Sequence, residues 1–280
     1  MSWQGKILRV NLNTHEITPE ALNMEWAKDY IGERGLGTKY LWENMDPKAD
    51  AMASDNVLIF ATGPLTGTNA STSGRYAVIT KRPLTGAIAC SNSGGKFGAE
   101  LKYAGFDLLL VEGRSEKPVY LLIEGDEISL APAEKIWGKT VWETDEWIKK
   151  QHHNPMLKIA TIGIAGERGA RYASVVNDLH RAAGRSGVGT VMGSKNLKAV
   201  AVRGTGGVKV KDPKRFMTVT QEMKNLLAEH TGGLTKYGTN AMMDTMQEFG
   251  GLPTRNFQEV QFEGADKVDA NAMMTTDDTG

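Results

Sequence analysis

The sequence predicts an α+β protein, with a sheet-rich first domain over residues 1–205 and the beginning of a helical domain over 206–280. Three observations carry this. Short apolar runs closed by glycine or proline recur from residue 56 to residue 203, the pattern of strands. Helical spacing intervenes in only a few places, so a regular βαβ alternation is absent. After Arg203-Gly204-Thr205-Gly206-Gly207 the pattern turns helical.

Taken in order, residues 5–12 and 15–17 read as two short strands around an Asn13-Thr14 turn. Residues 23–45 read as a helical region with Trp26, Tyr30 and Ile31 at helical spacing. Gly32-Glu33-Arg34-Gly35-Leu36-Gly37 breaks it, and Tyr40-Leu41-Trp42 resumes the apolar face. Strands are expected at 56–62, 76–80, 87–90, 108–112, 119–124, 128–131, 158–162 and 199–203, and helices at 96–103 and 140–151. Asp212-Pro213 has the form of a helix start, N-cap then first-turn proline, leading into a helical pattern over 216–229. Another helix is expected over 239–249, ended by Gly250-Gly251 and Pro253. Residues 270–280 end in a polar tail with no packed terminal element in view. A single helical pair is too little to close a core, which points to a longer polypeptide or to a partner that completes the second domain.

Composition narrows the function classes. Lys+Arg and Asp+Glu are equal at 33 each, so no net field draws the chain to nucleic acid or to an anionic membrane, and anion binding must be local. The start, Met-Ser-Trp-Gln-Gly-Lys-Ile-Leu-Arg-Val, has no apolar leader core, and no run is long enough to span a bilayer. The expectation is a cytoplasmic soluble protein. One cysteine, Cys90, excludes an internal disulfide framework and a cysteine-built metal cage, and reads as a small buried residue. The His152-His153 pair beside Asn154-Pro155 reads as exposed loop. The thirteen methionines read as core or interface filler. No Ser/His/Asp, Cys/His or paired-carboxylate arrangement is supported by local spacing.

Three stretches set isolated arginines among glycines. Glycine lets backbone approach a ligand, and arginine offers a planar fork of donors suited to phosphate. Arg75, at the end of a polar loop, reads either as a surface arginine or as a phosphate clamp. Ser91-Asn92-Ser93-Gly94-Gly95 reads either as a plain turn and cap or as an anion loop offering free N–H groups, with Asn92 able to lend a carbonyl oxygen to a hard cation. His180-Arg181-Ala182-Ala183-Gly184-Arg185-Ser186-Gly187 reads as a glycine-rich anion loop flanked by Arg181 and Arg185. Its continuation, Gly187-x-Gly189-x-x-x-Gly193, is not a dinucleotide fingerprint, because position 192 is Met and no acidic ribose partner occurs near 200–204. Pro64-Leu65-Thr66-Gly67 is echoed by Pro83-Leu84-Thr85-Gly86, each followed by a polar, glycine-containing loop (69–75 and 91–95), either by chance or as a trace of duplication that places these two loops against one ligand.

Together these residues resemble the tungsten-pterin aldehyde:ferredoxin oxidoreductases. The strings that carry the resemblance include Gly5-Lys6-Ile7-Leu8-Arg9-Val10-Asn11-Leu12, Gly63-Pro64-Leu65-Thr66-Gly67-Thr68, Gly74-Arg75-Tyr76 and Asn92-Ser93-Gly94-Gly95-x-Phe97-Gly98-Ala99-Glu100. Later strings are Asn177-Asp178, residues 180–189 and Met192-Gly193-Ser194-Lys195-Asn196-Leu197. They span nearly the whole chain, in order. The resemblance implies a sheet-rich base carrying a tungsten bis-pterin (molybdenum being the variant metal), with Mg²⁺ bridging the pterin phosphates. It implies pterin contacts at Arg75, Gly94, Arg181 and Gly184, and backbone carbonyls of Asn92 and Ala182 directed at the magnesium. It further implies oxidation of an aldehyde to a carboxylic acid, with electrons leaving through a [4Fe–4S] cluster to ferredoxin or another electron-transfer subunit. The cluster cysteines and the acid–base groups of such proteins fall beyond residue 280, and Cys90 matches none of them. Homo-oligomer formation is compatible with the same resemblance. Two rival readings share the platform: reduction of an aromatic acyl-CoA ring or of an acid, and a truncated, non-enzymatic pterin-binding module.

Overall fold

The computed structural model describes residues 2–275, and residues 276–280 of the polar tail lie outside the described residues. The chain divides into two compact units, Met1–Pro213 and Lys214–Gly280.

The first unit is built on two six-stranded mixed sheets. The first sheet holds β1 (Lys6–Asn11), β2 (Glu16–Ala21), β3 (Leu58–Thr62), β4 (Tyr76–Lys81), β5 (Ile88–Ser93) and β6 (Leu108–Glu112), in the order β2-β1-β6-β3-β4-β5. The second holds β7 (Val119–Glu124), β8 (Glu127–Pro132), β9 (Lys158–Thr161), β10 (Val175–Asn177), β11 (Arg181–Ala183) and β12 (Leu197–Arg203), in the order β11-β10-β9-β12-β7-β8. Only β1 with β6 and β7 with β12 run parallel. The short link from β6 to β7 carries the chain from one sheet to the other.

Why these segments are strands follows from burial. Leu109 and Val111 enter a core that also holds Leu121, Ile123, Val200 and Val202 of the second sheet, while Leu108 and Leu110 point to the opposite face. A strand buried on both faces reads as an unbroken apolar run, and this is why 108–112 and 119–124 were legible to the residue. Helices α1 (Met24–Tyr30) and α2 (Glu33–Asn44) cover the outer face of the first sheet through Ala27, Leu36, Tyr40 and Leu41. Between the sheets lie α3 (Phe97–Tyr103), whose Phe97 packs 4.9 Å from Tyr76 and 5.9 Å from Phe60 between ring centroids, and, after the intervening outer helix, the helix of residues 188–194. That outer helix, α4 (Val141–Gln151), covers the far face of the second sheet with Ile148 and Trp147. Its start is set by a capping box: Glu143 N–H donates to Thr140 Oγ1 at 3.3 Å and Thr140 N–H to Glu143 Oε2 at 2.8 Å. Short α5 (Ile164–Glu167) and α6 (Val188–Ser194) pack on each other: a Cβ on Gly193 would stand 2.1 Å from Gly166 O, so only glycine permits this approach.

Several expectations need correction. The break in the 23–45 helix is confined to residues 31–32; Gly35 and Gly37 lie inside α2, because each sits where a Cβ would collide, with Tyr30 O at 2.4 Å and Ile79 Cδ1 at 2.6 Å. The second strand runs to Ala21 and not only to residue 17, paired along its length with β1. Residues 91–93 are strand, not loop. The stretch 180–189 is not one loop but strand β11, a turn and the start of α6. His152 is not a free loop residue, since its Nε2 lies 2.7 Å from the Tyr120 hydroxyl. The two Pro-Leu-Thr-Gly turns themselves lie at opposite ends of β4, whereas the polar loops that follow them, 69–75 and 91–95, meet at one end of the β4–β5 pair, where Tyr76 faces Ser93.

The second unit contains α7 (Pro213–His230), α8 (Gly232–Tyr237), a 3₁₀ turn at Gly238–Met242, α9 (Met243–Glu248) and α10 (Ala270–Thr275). Helix α7 starts at the expected proline. Leu226, Leu234, Phe249 and Phe257 are exposed, so the apolar faces of this unit are left open. No helix among the described residues is long and apolar enough to cross a membrane.

Candidate cofactor-binding site

The six residues singled out as candidates come from three separate stretches, and the fold brings those stretches to one seam. Strand β5 is the last strand of the first sheet and β11 the last of the second. They lie alongside one another, with Arg185 N–H donating to Ser91 Oγ at 3.1 Å. Asn92 lies in β5, opposite Ala77, and Gly94 follows it. Arg75 enters β4 next to this pair. Arg181 and Ala182 lie in β11, opposite Asn177 and Val176, and Gly184 follows. An edge strand leaves alternate carbonyls facing away from its sheet, and Asn92 and Ala182 both lie on such edge strands.

One side chain locks the seam. Asn177 is buried, and all four of its hydrogen-bonding positions are used. Its Oδ1 accepts from Tyr76 Oη at 3.0 Å and from Ser93 Oγ at 2.7 Å. Its Nδ2 donates to Gly94 O at 2.9 Å and to Asp178 Oδ2 at 2.8 Å. Asp178 Oδ2 also accepts from Lys96 N–H at 2.6 Å. The expectation of free N–H groups at the start of α3 therefore needs correction at Lys96, whose donor is taken by this carboxylate. Burial pushes the Tyr76 phenol up, so it is a neutral donor to Asn177 at any ordinary pH. The hairpin turn after Asn177 uses positive φ at Asp178 (48°) and Leu179 (62°), the conformation that hairpin connections favour.

The glycines of the seam divide into two kinds. Gly95 has φ +91°, and a Cβ there would stand 2.2 Å from Asp178 Oδ2; at Gly74 it would stand 2.4 Å from Gly95 O. The protein itself requires glycine at both. At Gly94 nothing lies within 4 Å of a Cβ, and at Gly184 the nearest atom is at 3.9 Å; neither has positive φ. The protein's own packing gives no reason for glycine at these two positions, whereas a ligand resting on the backbone does. Arg75, Lys96, His180, Arg181 and Arg185 are exposed along the same seam. Open glycine backbone, exposed arginine forks and edge carbonyls are a donor and acceptor set that fits a phosphorylated cofactor and a hard cation. Among the described residues no cluster of three or more His, Cys, Asp or Glu could hold a metal.

Two contributors were not singled out as site residues from the sequence. Asn177-Asp178 was visible only as part of a matching string. Glu33 was visible only as part of a glycine-rich break, yet its Oε2 accepts from Asn92 Nδ2 at 3.2 Å. Burial pushes the Glu33 carboxyl up, against the opposing pull of Arg75 and of the Asn92 hydrogen bond.

Residues 7–204, which hold both sheets and the seam, match the family described as aldehyde ferredoxin oxidoreductase, N-terminal domain, and residues 218–279 match aldehyde ferredoxin oxidoreductase, domains 2 & 3. The chain belongs to the aldehyde ferredoxin oxidoreductase family. It is 52% identical over 272 residues to a tungsten-containing aldehyde ferredoxin oxidoreductase of Pyrococcus abyssi, covering 96% of this chain and 45% of the relative. The corresponding protein of Pyrococcus horikoshii is 51% identical with the same coverage. The chain thus spans a little under half the length of these relatives. Among solved structures, the active-site complex BamBC of benzoyl coenzyme A reductase, in complex with 1,5-dienoyl-CoA, superposes with a TM-score of 0.80 at 37% identity. That match covers 82% of this chain and 35% of the other.

Proposed function

We propose that this chain is the N-terminal part of an enzyme that oxidises aldehydes to carboxylic acids at a tungsten centre carried by two pterins. The observation that carries the reading is the 52% identity, over 96% of the chain, to a protein that bears that name. When bound, the metal–pterin group supplies the two-electron oxidation, with water as the source of oxygen. The residues of this chain bind and orient it. Arg75 and Arg181 direct guanidinium forks at pterin phosphates, and Gly94 and Gly184 let the pterin lie on bare backbone. The Asn92 and Ala182 carbonyls take part in binding Mg²⁺, whose preference is for oxygen. Tyr76, Ser93 and Asn177 hold the two edge strands at a fixed separation beneath it. The [4Fe–4S] cluster, the acid–base groups and the docking of ferredoxin or another carrier are assigned to parts of the protein outside this chain. A cytoplasmic location and a homo-oligomeric assembly belong to the same proposal. The domain boundary near residue 205 also belongs to it, as the end of the pterin-binding part.

The likeness to benzoyl coenzyme A reductase supports a second reading, reduction of an aromatic acyl-CoA ring on the same platform. The higher identity to the aldehyde-oxidising relatives favours the first. The test is plasma mass spectrometry on the full-length protein from its native cells, followed by aldehyde-dependent ferredoxin reduction and dienoyl-CoA oxidation. Tungsten or molybdenum with iron, and turnover of aldehyde alone, is the expected result. Turnover of dienoyl-CoA alone moves the assignment to the second reading, and absence of any group-six metal removes both.

A further inference from the structure

The glycine-rich hexapeptide 32–37 opens α2 in a way that delivers one side chain to the seam. Glu33 takes φ 41°, a region that non-glycine residues seldom occupy. The glycine before it lies against the turn after β3: a Cβ on Gly32 would stand 2.9 Å from both Gly63 Cα and Pro64 Cδ. Gly37 allows the helix to press on Ile79 and Ala61 of the sheet. The close approach of the helix start, together with the left-handed residue, carries the half-buried Glu33 carboxylate to Asn92. The N-cap position of α2 is held by Gly32, which has no side chain to cap with, and the Glu33 carboxylate bonds Asn92 instead.

The chain of contacts has a direction. Asn92 Nδ2 donates to Glu33 Oε2 at 3.2 Å, and Asn92 Oδ1 accepts from Arg75 Nη1. A carboxylate only accepts and a guanidinium only donates, so the amide between them has one permitted orientation. Asn92 therefore has two separable duties, a backbone carbonyl on the edge strand and a side chain that joins Glu33 to Arg75. Arg75 is otherwise exposed on a long, rotatable stem, and holding such a stem in one pose costs entropy that a fixed partner offsets.

We infer that Glu33 is a positioning residue of the cofactor site, holding the Arg75 guanidinium through the Asn92 amide in the pose that clamps a pterin phosphate. The inference rests on the proposed pterin reading. A merely structural role, stabilising the start of α2, predicts a loss of thermal stability with no coupling to Arg75.

The test uses the full-length holoprotein, measuring the rate at which tungsten is released on dialysis, with Tm recorded for every variant. Arg75→Ala is expected to release tungsten about tenfold faster or more, the loss of a charge-assisted bond. Glu33→Ala is expected to release it roughly three- to tenfold faster, and the Glu33→Ala/Arg75→Ala double variant no faster than Arg75→Ala within about twofold, since the two act as one unit. Glu33→Gln, whose Oε1 still accepts from Asn92, is expected to stay within about twofold of the natural protein. Asn92→Ser, which severs the link while keeping the backbone carbonyl and leaving α2 untouched, is expected to match Glu33→Ala. Release from Glu33→Ala or Asn92→Ser at the natural rate overturns the inference, as does a Glu33→Ala effect that persists in full when Arg75 is absent. A natural protein that carries no tungsten or molybdenum overturns the pterin reading and this inference with it. A loaded protein whose Arg75→Ala variant releases at the natural rate overturns the Arg75 clamp and the inference while leaving the pterin reading standing.

Discussion

Replacing Asn177 by alanine removes the fastening between the two sheets, and the structure sets the size of the effect. Four hydrogen bonds are lost, but their partners are not equivalent. Tyr76 and Ser93 are buried, 0% and 2% exposed, so their hydroxyls would be left without water and with only each other as partner, which leaves one of the two donors unpaired. Such an orphan costs about 1–3 kcal/mol, in addition to the hydrogen bonds lost. Gly94 O and Asp178 Oδ2 are half-exposed, and Asp178 retains Lys96 N–H, so their losses are small. The expected destabilisation is about 3–4 kcal/mol, measured as the shift in urea unfolding followed by tryptophan fluorescence. The sharper expectation concerns Tyr76→Phe. In the natural background it removes one good hydrogen bond and destabilises by about 1 kcal/mol. In the Asn177→Ala background the Tyr76 hydroxyl has already lost its main partner, so the same substitution should cost clearly less. An equal cost for Tyr76→Phe in both backgrounds, or an Asn177→Ala cost below about 1 kcal/mol, refutes the reasoning that Asn177 is the main partner of these buried groups.

Three further expectations follow from the same geometry. Gly94→Ala and Gly95→Ala should separate: the first meets nothing within 4 Å and should keep its Tm while losing bound tungsten, whereas the second must collide with Asp178 at φ +91° and should lose Tm; equal Tm losses would remove the distinction drawn between the two glycines. Arg181→Ala should weaken pterin retention by about 1.5–3 kcal/mol with little change in folding; unchanged tungsten and pterin content in the folded variant rules out its phosphate contact. Lys195 is fully buried and donates to Gly113 O at 2.9 Å and Ser54 O at 3.1 Å, without a carboxylate in contact among the described residues. Burial pushes its ammonium down to about 8 from 10.5, against the pull of Glu112 and Asp55. The unfolded chain then binds more protons than the folded one across that window, so stability should rise with pH there, by up to about 3 kcal/mol. The rise should be missing in Lys195→Met; parallel pH profiles for the two proteins would contradict it.

How much of this could be read from the sequence differs by element. Strands 108–112 and 119–124 were legible because both of their faces are buried, which leaves an apolar run bounded by polar residues. Helix 140–151 was legible from its apolar spacing, and Thr140 and Glu143 then fix where it starts. The hairpin of β10 and β11 was not, since Val175-Val176-Asn177 and Arg181-Ala182-Ala183 are three residues each and carry no periodicity. They are strands because β9 offers β10 an edge and β10 in turn pairs with β11. The polar residues 91–93 did not read as strand, because serine and asparagine have turn propensity; pairing with β4 overrides it.

The candidate site shows the same division. Arginine beside glycine is a local pattern, so Arg75, Gly94, Arg181 and Gly184 could be picked out along the chain, with Asn92 and Ala182 added by resemblance. That these residues face one seam is a long-range fact: Asn177 reaches Tyr76 and Ser93 across 101 and 84 positions of sequence. Glu33 reaches Asn92 across 59. By itself the sequence determined which segments alternate, which turn, and where backbone is bare, because those properties depend on neighbours a few residues apart. The tertiary structure decided which of those segments meet, because burying both faces of two sheets forces their edge strands together, and no local pattern encodes that closure.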